Sequence, residues 1–251
     1  MKGNAGMGKY VPGTYTKKRA SVESRVGHYV REWESQKRVR EREGTAVDAA
    51  VDFPPSIAFS RKIGTGALEI ADDVGRKLDF RVVDRELVEI IADQAQISEK
   101  ATAFFDERFP GYVNRTFKYL FGEKAFIDSD YTRHLIGAVT AVAGLESTIF
   151  VGRGIHLILP RNRVMAVRCI CSDKYRYERV ANIMGASISE AKKHLAVLDK
   201  EQAAFFKKVF NRKSASPYEF DMVLNLDHFA EPEAAADIVV SAFEKKLAGV
   251  R

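Results

Sequence analysis

The stretch Ser56-Ile57-Ala58-Phe59-Ser60-Arg61-Lys62-Ile63-Gly64-Thr65-Gly66-Ala67-Leu68-Glu69-Ile70-Ala71 decides how the 251-residue chain is read. It begins as a short apolar run, passes two glycines one residue apart, and continues into Asp72-Asp73-Val74-Gly75-Arg76-Lys77-Leu78. Leu68, Ala71, Val74 and Leu78 recur at helical spacing with charges between them. A buried strand, a glycine turn and a helix N-terminus in that order form a cradle for phosphate. Backbone N–H groups and the positive end of the helix dipole converge on one spot, and glycine lets the backbone approach closely. A plain tight turn between a strand and its crossover helix would use the same residues, so the surrounding sequence must decide.

The surroundings repeat the theme. Strand-like runs alternate with helical patterns: Phe80 to Asp84, Thr148 to Val151, Val164 to Cys171 and Phe220 to Asn225 read as strands. Tyr131 to Leu145, about 173–184, about 188–210 and Pro232 to Leu247 read as helices, and Ser187 with Glu190 forms a capping-box pattern. A helix starting at Arg85 and irregular aromatic pieces over 98–130 fill the gap. Such alternation predicts a parallel sheet with helices on both faces and ligands at the C-terminal ends of the strands. Ser60 and Arg61, Asp84 and Arg85, Gly152 and Arg153, and Ser172 and Asp173 all fall at such ends.

Composition bounds the alternatives. An apolar share of 46% and a charged share of 29% suit a globular protein. No apolar run approaches the roughly 20 residues that span a bilayer, and no secretory h-region opens the chain, so a cytoplasmic protein without membrane contact is expected. Cys169 and Cys171 lie two apart in an apolar run and read as core thiols. Five histidines show no metal-ligand spacing, and no metal site is expected. The net charge of +6 is uneven: residues 1–55 carry eleven basic and seven acidic side chains, and the remainder is nearly neutral. A basic tail on a near-neutral body argues against nucleic acid as a partner. Residues 1–55 are read as a basic, partly disordered and partly helical extension, with a partial apolar stripe from Val22 to Trp33 and a linker from Gly44 to Pro55. It is suited to a protein partner or a second copy, or to loose packing on its own domain. Residues 56–251 form the main domain.

Ser60-Arg61-x-x-Gly64-Thr65-Gly66-x-x-x-Ile70-Ala71 resembles the opening signature of the cytidylate-kinase-like family, a P-loop branch related to nucleoside monophosphate kinases. Its members commonly read Ser-Arg-x-x-Gly-Ser-Gly-Gly and tend to lack the P-loop lysine. The full pattern G-x-x-x-x-G-K-S/T is absent here as well: with Gly66 as its second glycine, Ala67 takes the lysine's place and Leu68 the hydroxyl's. Val82-Val83-Asp84-Arg85-Glu86-Leu87 and Ile149-Phe150-Val151-Gly152-Arg153-Gly154 are similar to two further family blocks, with Gly154 where cytidylate kinases carry Asp. Leu198-Asp199-Lys200-Glu201-Gln202-Ala203-Ala204 is similar to a fourth, with Gln202 in place of Arg.

The resemblance covers about residues 56–246 and implies a P-loop NTPase-like sheet with a helical lid. It also implies an ATP-dependent kinase of a nucleoside monophosphate, CMP-like in its acceptor, with Mg2+ accompanying ATP. Ser60, Arg61, Lys62, Gly64, Thr65, Gly66, Ala67 and Leu68 would hold the triphosphate, and Asp84, Arg85, Gly152 and Arg153 the acceptor. Arg153 with the lid residues Arg176, Arg179 and Lys200 would neutralise the transferring phosphoryl group. Arg61 or Lys62 is expected to replace the missing lysine. Each assignment has a plainer counterpart: Asp84 as a helix cap, Arg153 as a strand-end ion pair, and the lid cations as surface charges. The alternative function is a non-catalytic nucleotide-binding module with a degenerate P-loop.

Overall fold

The computed structural model describes residues 53–84, 130–212 and 215–247. The expected N-terminal helix, most of the linker, the helix from Arg85 and the aromatic pieces up to 129 lie outside the described residues.

β1 (Ser56–Arg61) is buried along nearly its whole length, because it sits in the middle of the sheet and both of its faces are covered. α1 (Ala67–Leu78) follows the glycine loop and turns Ala67, Ile70, Ala71 and Val74 inward. Then come β2 (Arg81–Val83), α2 (Asp130–Leu145), β3 (Thr148–Val151), β4 (Val164–Ile170), α3 (Asp173–Met184), α4 (Ile188–Phe210), β5 (Met222–Asn225) and α5 (Pro232–Leu247). The strands lie in the order β2-β3-β1-β4-β5, and every pairing is parallel.

Alternation along the strands separates two apolar layers. Ile57 and Phe59 of β1, Ile149 and Val151 of β3, and Met165 and Val167 of β4 face α1 and α5. Ala58, Phe150 and Val164 meet α2 and the C-terminal turn of α4 through Leu135, Val139, Val209 and Phe210. The expected α/β sheet with helices on both faces is thus the observed one. Phe53 is 2% exposed within the second layer, so the core reaches back into the segment the sequence reads as a linker.

α3 and α4 form a helical hairpin after β4. Ser172 caps α3 by accepting from the Tyr175 N–H, Gly185 closes it in a left-handed conformation, and Ser187 with Glu190 completes the expected capping box. The hairpin has its own small core of Val180, Ala181, Ala191, Leu195 and Leu198, and into it the glycine loop inserts Ile63. β5 starts two residues later than the sequence suggests. Asp221 pairs with β4 through its N–H to the Ala166 carbonyl at 2.9 Å, but its own carboxylate, 2.7 Å away, takes the Ala166 N–H. A side chain there does what a strand carbonyl would do.

Candidate active site

The loop from Lys62 to Gly66 leaves β1 at the centre of the sheet. Gly66 caps α1 with φ 88° and offers no side-chain hydrogen bond, so the first turn of α1 is uncapped. A side chain at this φ would be strained, which explains the glycine. No backbone carbonyl among the described residues accepts from the N–H groups of Gly64, Thr65, Gly66, Ala67 or Leu68. Thr65 is 1% exposed, and its hydroxyl has no hydrogen-bond partner among the described residues. A row of unspent donors at the positive end of a twelve-residue helix suits an anion with several oxygens. Ala67 and Leu68 turn into the α1 layer, so only their N–H groups are left for a ligand.

The hairpin is tied to this loop. Arg176, 1% exposed, donates from Nε to the Ile63 carbonyl at 2.9 Å. Its Nη1 and Nη2 reach both oxygens of Asp199 at 3.0 and 2.7 Å, and Nη1 also reaches Asp173 at 3.0 Å. Burial opposes its charge, but the two carboxylates overcome this and hold its pKa above the ordinary arginine value. Four of its five donors are thereby engaged, which makes Arg176 a strut between loop and hairpin. Gln202 adds a second tie from Nε2 to the Arg61 carbonyl at 2.9 Å. Arg179, one turn beyond Arg176, lies against Gly66 and pairs with Glu69 in the first turn of α1. Lys200 is exposed on α4.

Beside the loop lies a cavity of about 270 Å³ lined by Arg61, Ile63, Gly152, Arg153, Glu201 and Gln202 with the rings of Phe205 and Phe206. Gly152, Arg153 and Gly154 have φ values of 97°, 52° and 68°, three left-handed residues in a row. For an arginine that conformation is uncommon, and it turns the chain sharply at the end of β3. The Arg153 guanidinium carbon stands 4.0 Å from the centre of the Phe205 ring, a cation–π contact at the cavity wall. The Asp that cytidylate kinases carry in place of Gly154 would meet a ring here, because a Cβ would stand 2.6 Å from Phe210 Cε2.

The other expected site residues distribute as follows. The Ser60 hydroxyl accepts from Arg168 Nη1 at 2.7 Å. Lys62 is exposed on the loop, and Asp84, half-buried, follows Val83, which pairs with Phe150. Asp84 thus stands level with Val151, one residue short of Gly152. Arg85 lies outside the described residues. Sequence reasoning did not find Glu69, Asp199, Phe205 or Phe206 as parts of the site. Asp199 and Gln202 lie in the stretch Leu198–Ala204, but nothing local in it tells that one holds Arg176 and the other the Arg61 carbonyl. Cys169 and Cys171 are held protonated by burial, with pKa values pushed up to about 12 and about 11, which removes them as nucleophiles at neutral pH.

Among the described residues, the glycine loop and the end of β3 do not offer the side chains of a protein-held magnesium site. Leu68 replaces the P-loop hydroxyl, Gly152 follows β3 where an acid would stand, and the described residues hold no cluster of three or more His, Cys, Asp or Glu suited to a metal. Among the described residues no helix is long and apolar enough to cross a membrane.

A central strand ending in a glycine loop, the order β2-β3-β1-β4-β5 and a helical hairpin after β4 define a P-loop kinase-like fold. More particularly, the chain belongs to the cytidylate kinase-like family, whose match spans residues 56–228. An uncharacterized protein from Eubacterium ventriosum ATCC 27560 has a similar fold, with a TM-score of 0.58 and 17% identity over 76% of this chain and 98% of that one. Shikimate kinase from Bacteroides thetaiotaomicron gives 0.37 and 13% over 77% and 98%, and dephospho-CoA kinase from Campylobacter jejuni 0.30 and 12% over 77% and 97%. No curated protein sequence matches the chain.

Proposed function

We propose that the protein is a nucleotide-dependent phosphotransferase. It takes a nucleoside triphosphate, ATP with its magnesium, at the glycine loop, and a nucleoside monophosphate with a CMP-like base as acceptor. The observation that carries this reading is the placement of Arg61 and Arg153 on one cavity that also touches Ile63 of the loop. The Arg153 guanidinium, seated over the Phe205 ring at the cavity wall, can hold two oxygens of an acceptor phosphate in its plane. The unspent N–H groups of Gly64 to Leu68 hold the donor phosphates next door. Ser60, Lys62 and Thr65 belong to this loop side of the site, and Asp84, Arg85 and Gly152 to the acceptor side. In-line transfer across the shared wall needs positioning and charge neutralisation rather than covalent help from the protein. Arg153 and Arg179 supply the positive charge, and Lys200 can join them from α4. Cytoplasmic work on small nucleotides fits this reading, and residues 1–55 are left for a protein partner or a second copy.

Ala67 and Leu68 favour a second reading, a module that binds the nucleotide without transferring phosphate. Calorimetry with ATP, followed by product analysis with a panel of monophosphates, tests both. In Gly66→Ala the new Cβ meets Arg179 Nε at 3.2 Å and the backbone must hold φ 88°, so ATP binding should weaken at least about tenfold. Unchanged ATP affinity in that variant contradicts the loop assignment. Binding without any diphosphate product supports the second reading over the first.

A further inference from the structure

The cradle lacks its lysine, yet it is not without a cation. Ala67, at the lysine's position, is 1% exposed and packed in the α1 layer, and Lys62 is exposed on the loop. Arg61 lines the cavity on the acceptor side. The charge nearest the second glycine comes from α3, far along the chain. A Cβ on Gly66 would meet Arg179 Nε at 3.2 Å, Cζ at 3.6 Å and Nη2 at 3.7 Å, so the guanidinium lies directly against the bare backbone. Two restraints keep it there. Arg176, three residues earlier on the same face of α3, locks the helix to the Ile63 carbonyl and to Asp199. Glu69, in the first turn of α1, holds Arg179 Nη2 by an ion pair. Arg179 keeps 22% of its side chain exposed, so it remains open to a ligand.

We propose that Arg179 supplies from α3 the cation that P-loops draw from the residue after the second glycine, and that the Glu69 carboxylate occupies it until a polyphosphate displaces it. The proposal rests on the glycine loop being the triphosphate site and adds which residues set its affinity. Glu69 is the anion the cradle provides for itself. A carboxylate at a helix N-terminus beside a guanidinium copies, with fewer oxygens, the charge pattern of a bound phosphate. When phosphate oxygens take the Gly66 N–H and the guanidinium together, Glu69 must yield Nη2 and finds itself beside a like charge. Glu69 therefore weakens binding while it orders the arginine. Gly66 leaves room for Arg179 because it has no Cβ, which gives that glycine a purpose beyond its dihedral angle.

The test is a double-substitution cycle on the full-length protein, with ATP and inorganic tripolyphosphate as probes in calorimetry. Arg179→Gln should weaken both probes by roughly 10- to 150-fold, the worth of one charge-assisted hydrogen-bonding group. Glu69→Gln should tighten both, and this gain should shrink when Arg179→Gln is also present. Arg179→Lys should recover part of the loss, because it restores charge without the planar fork. Circular dichroism and melting of each variant show whether it is folded, and Glu69→Gln read alone keeps the test alive if Arg179→Gln is not. Wild-type binding that Arg179→Gln leaves unchanged overturns the proposal and spares the triphosphate site. A Glu69→Gln gain of equal size with and without Arg179 also overturns it. Failure of the wild type to bind either probe overturns the triphosphate site and the proposal together.

Discussion

His156 shows how much one buried ring can impose on the whole chain's response to pH. It follows the Gly152-Arg153-Gly154 turn by two residues, is 3% exposed, and lies 4.6 Å from the Phe220 ring. Burial drives its pKa down to about 4; Glu219 Oε2, 3.5 Å from Nε2, pulls it up, while Arg161 and Arg168 push it further down. The ring is therefore neutral in the folded protein at pH values where the unfolded chain, near 6.5, takes a proton. Stability is whole above about pH 6.5, falls as pH drops toward about 4, and is lost by about 2–3 kcal/mol across that window. Urea unfolding at a series of pH values should show this slope, and His156→Gln should flatten it. An unchanged slope in the variant assigns the loss to the carboxylates instead. Gly154, two residues before the ring, shows the same crowding, since a Cβ there would stand 2.6 Å from Phe210 Cε2.

The α3–α4 hairpin is where an element departs from its expected role. The resemblance implies a lid that carries free cations, whereas Arg176 is a buried tie among Ile63, Asp173 and Asp199. Asp199→Ala should therefore cost about 1–3 kcal/mol, because it leaves two donors of a buried guanidinium unpaired while Asp173 still balances its charge, and should speed amide exchange in α3 before the sheet. A melting temperature equal to wild type would show that the hairpin stands without this tie. The ends of both helices were legible because capping is local: Ser172, Gly185 and Ser187 carry their signals within four residues. The glycine loop and the strand-end positions were legible for the same reason. Arg179 with Glu69, and Gln202 with the Arg61 carbonyl, were not, since 110 and 141 residues separate the partners and only the fold brings them together. The aromatic wall is not legible because Phe205 and Phe206 read as ordinary helix-face residues until the fold brings them to one cavity with Gly152 and Arg153.

Across the whole molecule, the sheet, its two apolar layers and the hairpin converge on the C-terminal ends of β1 and β3. The first described contribution is Phe53, which packs with Ala58, Val83 and Leu135. A chain beginning at Ser56 should lose about 3–5 kcal/mol relative to one beginning at Phe53, the usual worth of a buried aromatic ring. Equal melting temperatures for the two would place Phe53 outside the cooperative core. In the proposed function this convergence transfers a phosphoryl group. The most direct measurement is transfer from γ-labelled ATP to a panel of nucleoside monophosphates, with wild type beside Arg153→Ala and Arg153→Lys. Wild type should yield labelled diphosphate with at least one acceptor. Both variants should fall by about 2–4 kcal/mol in transition-state stabilisation, roughly 30- to 1000-fold in rate, with melting little changed. Bound ATP with no labelled diphosphate from any acceptor, or transfer indifferent to Arg153, would contradict the proposed function.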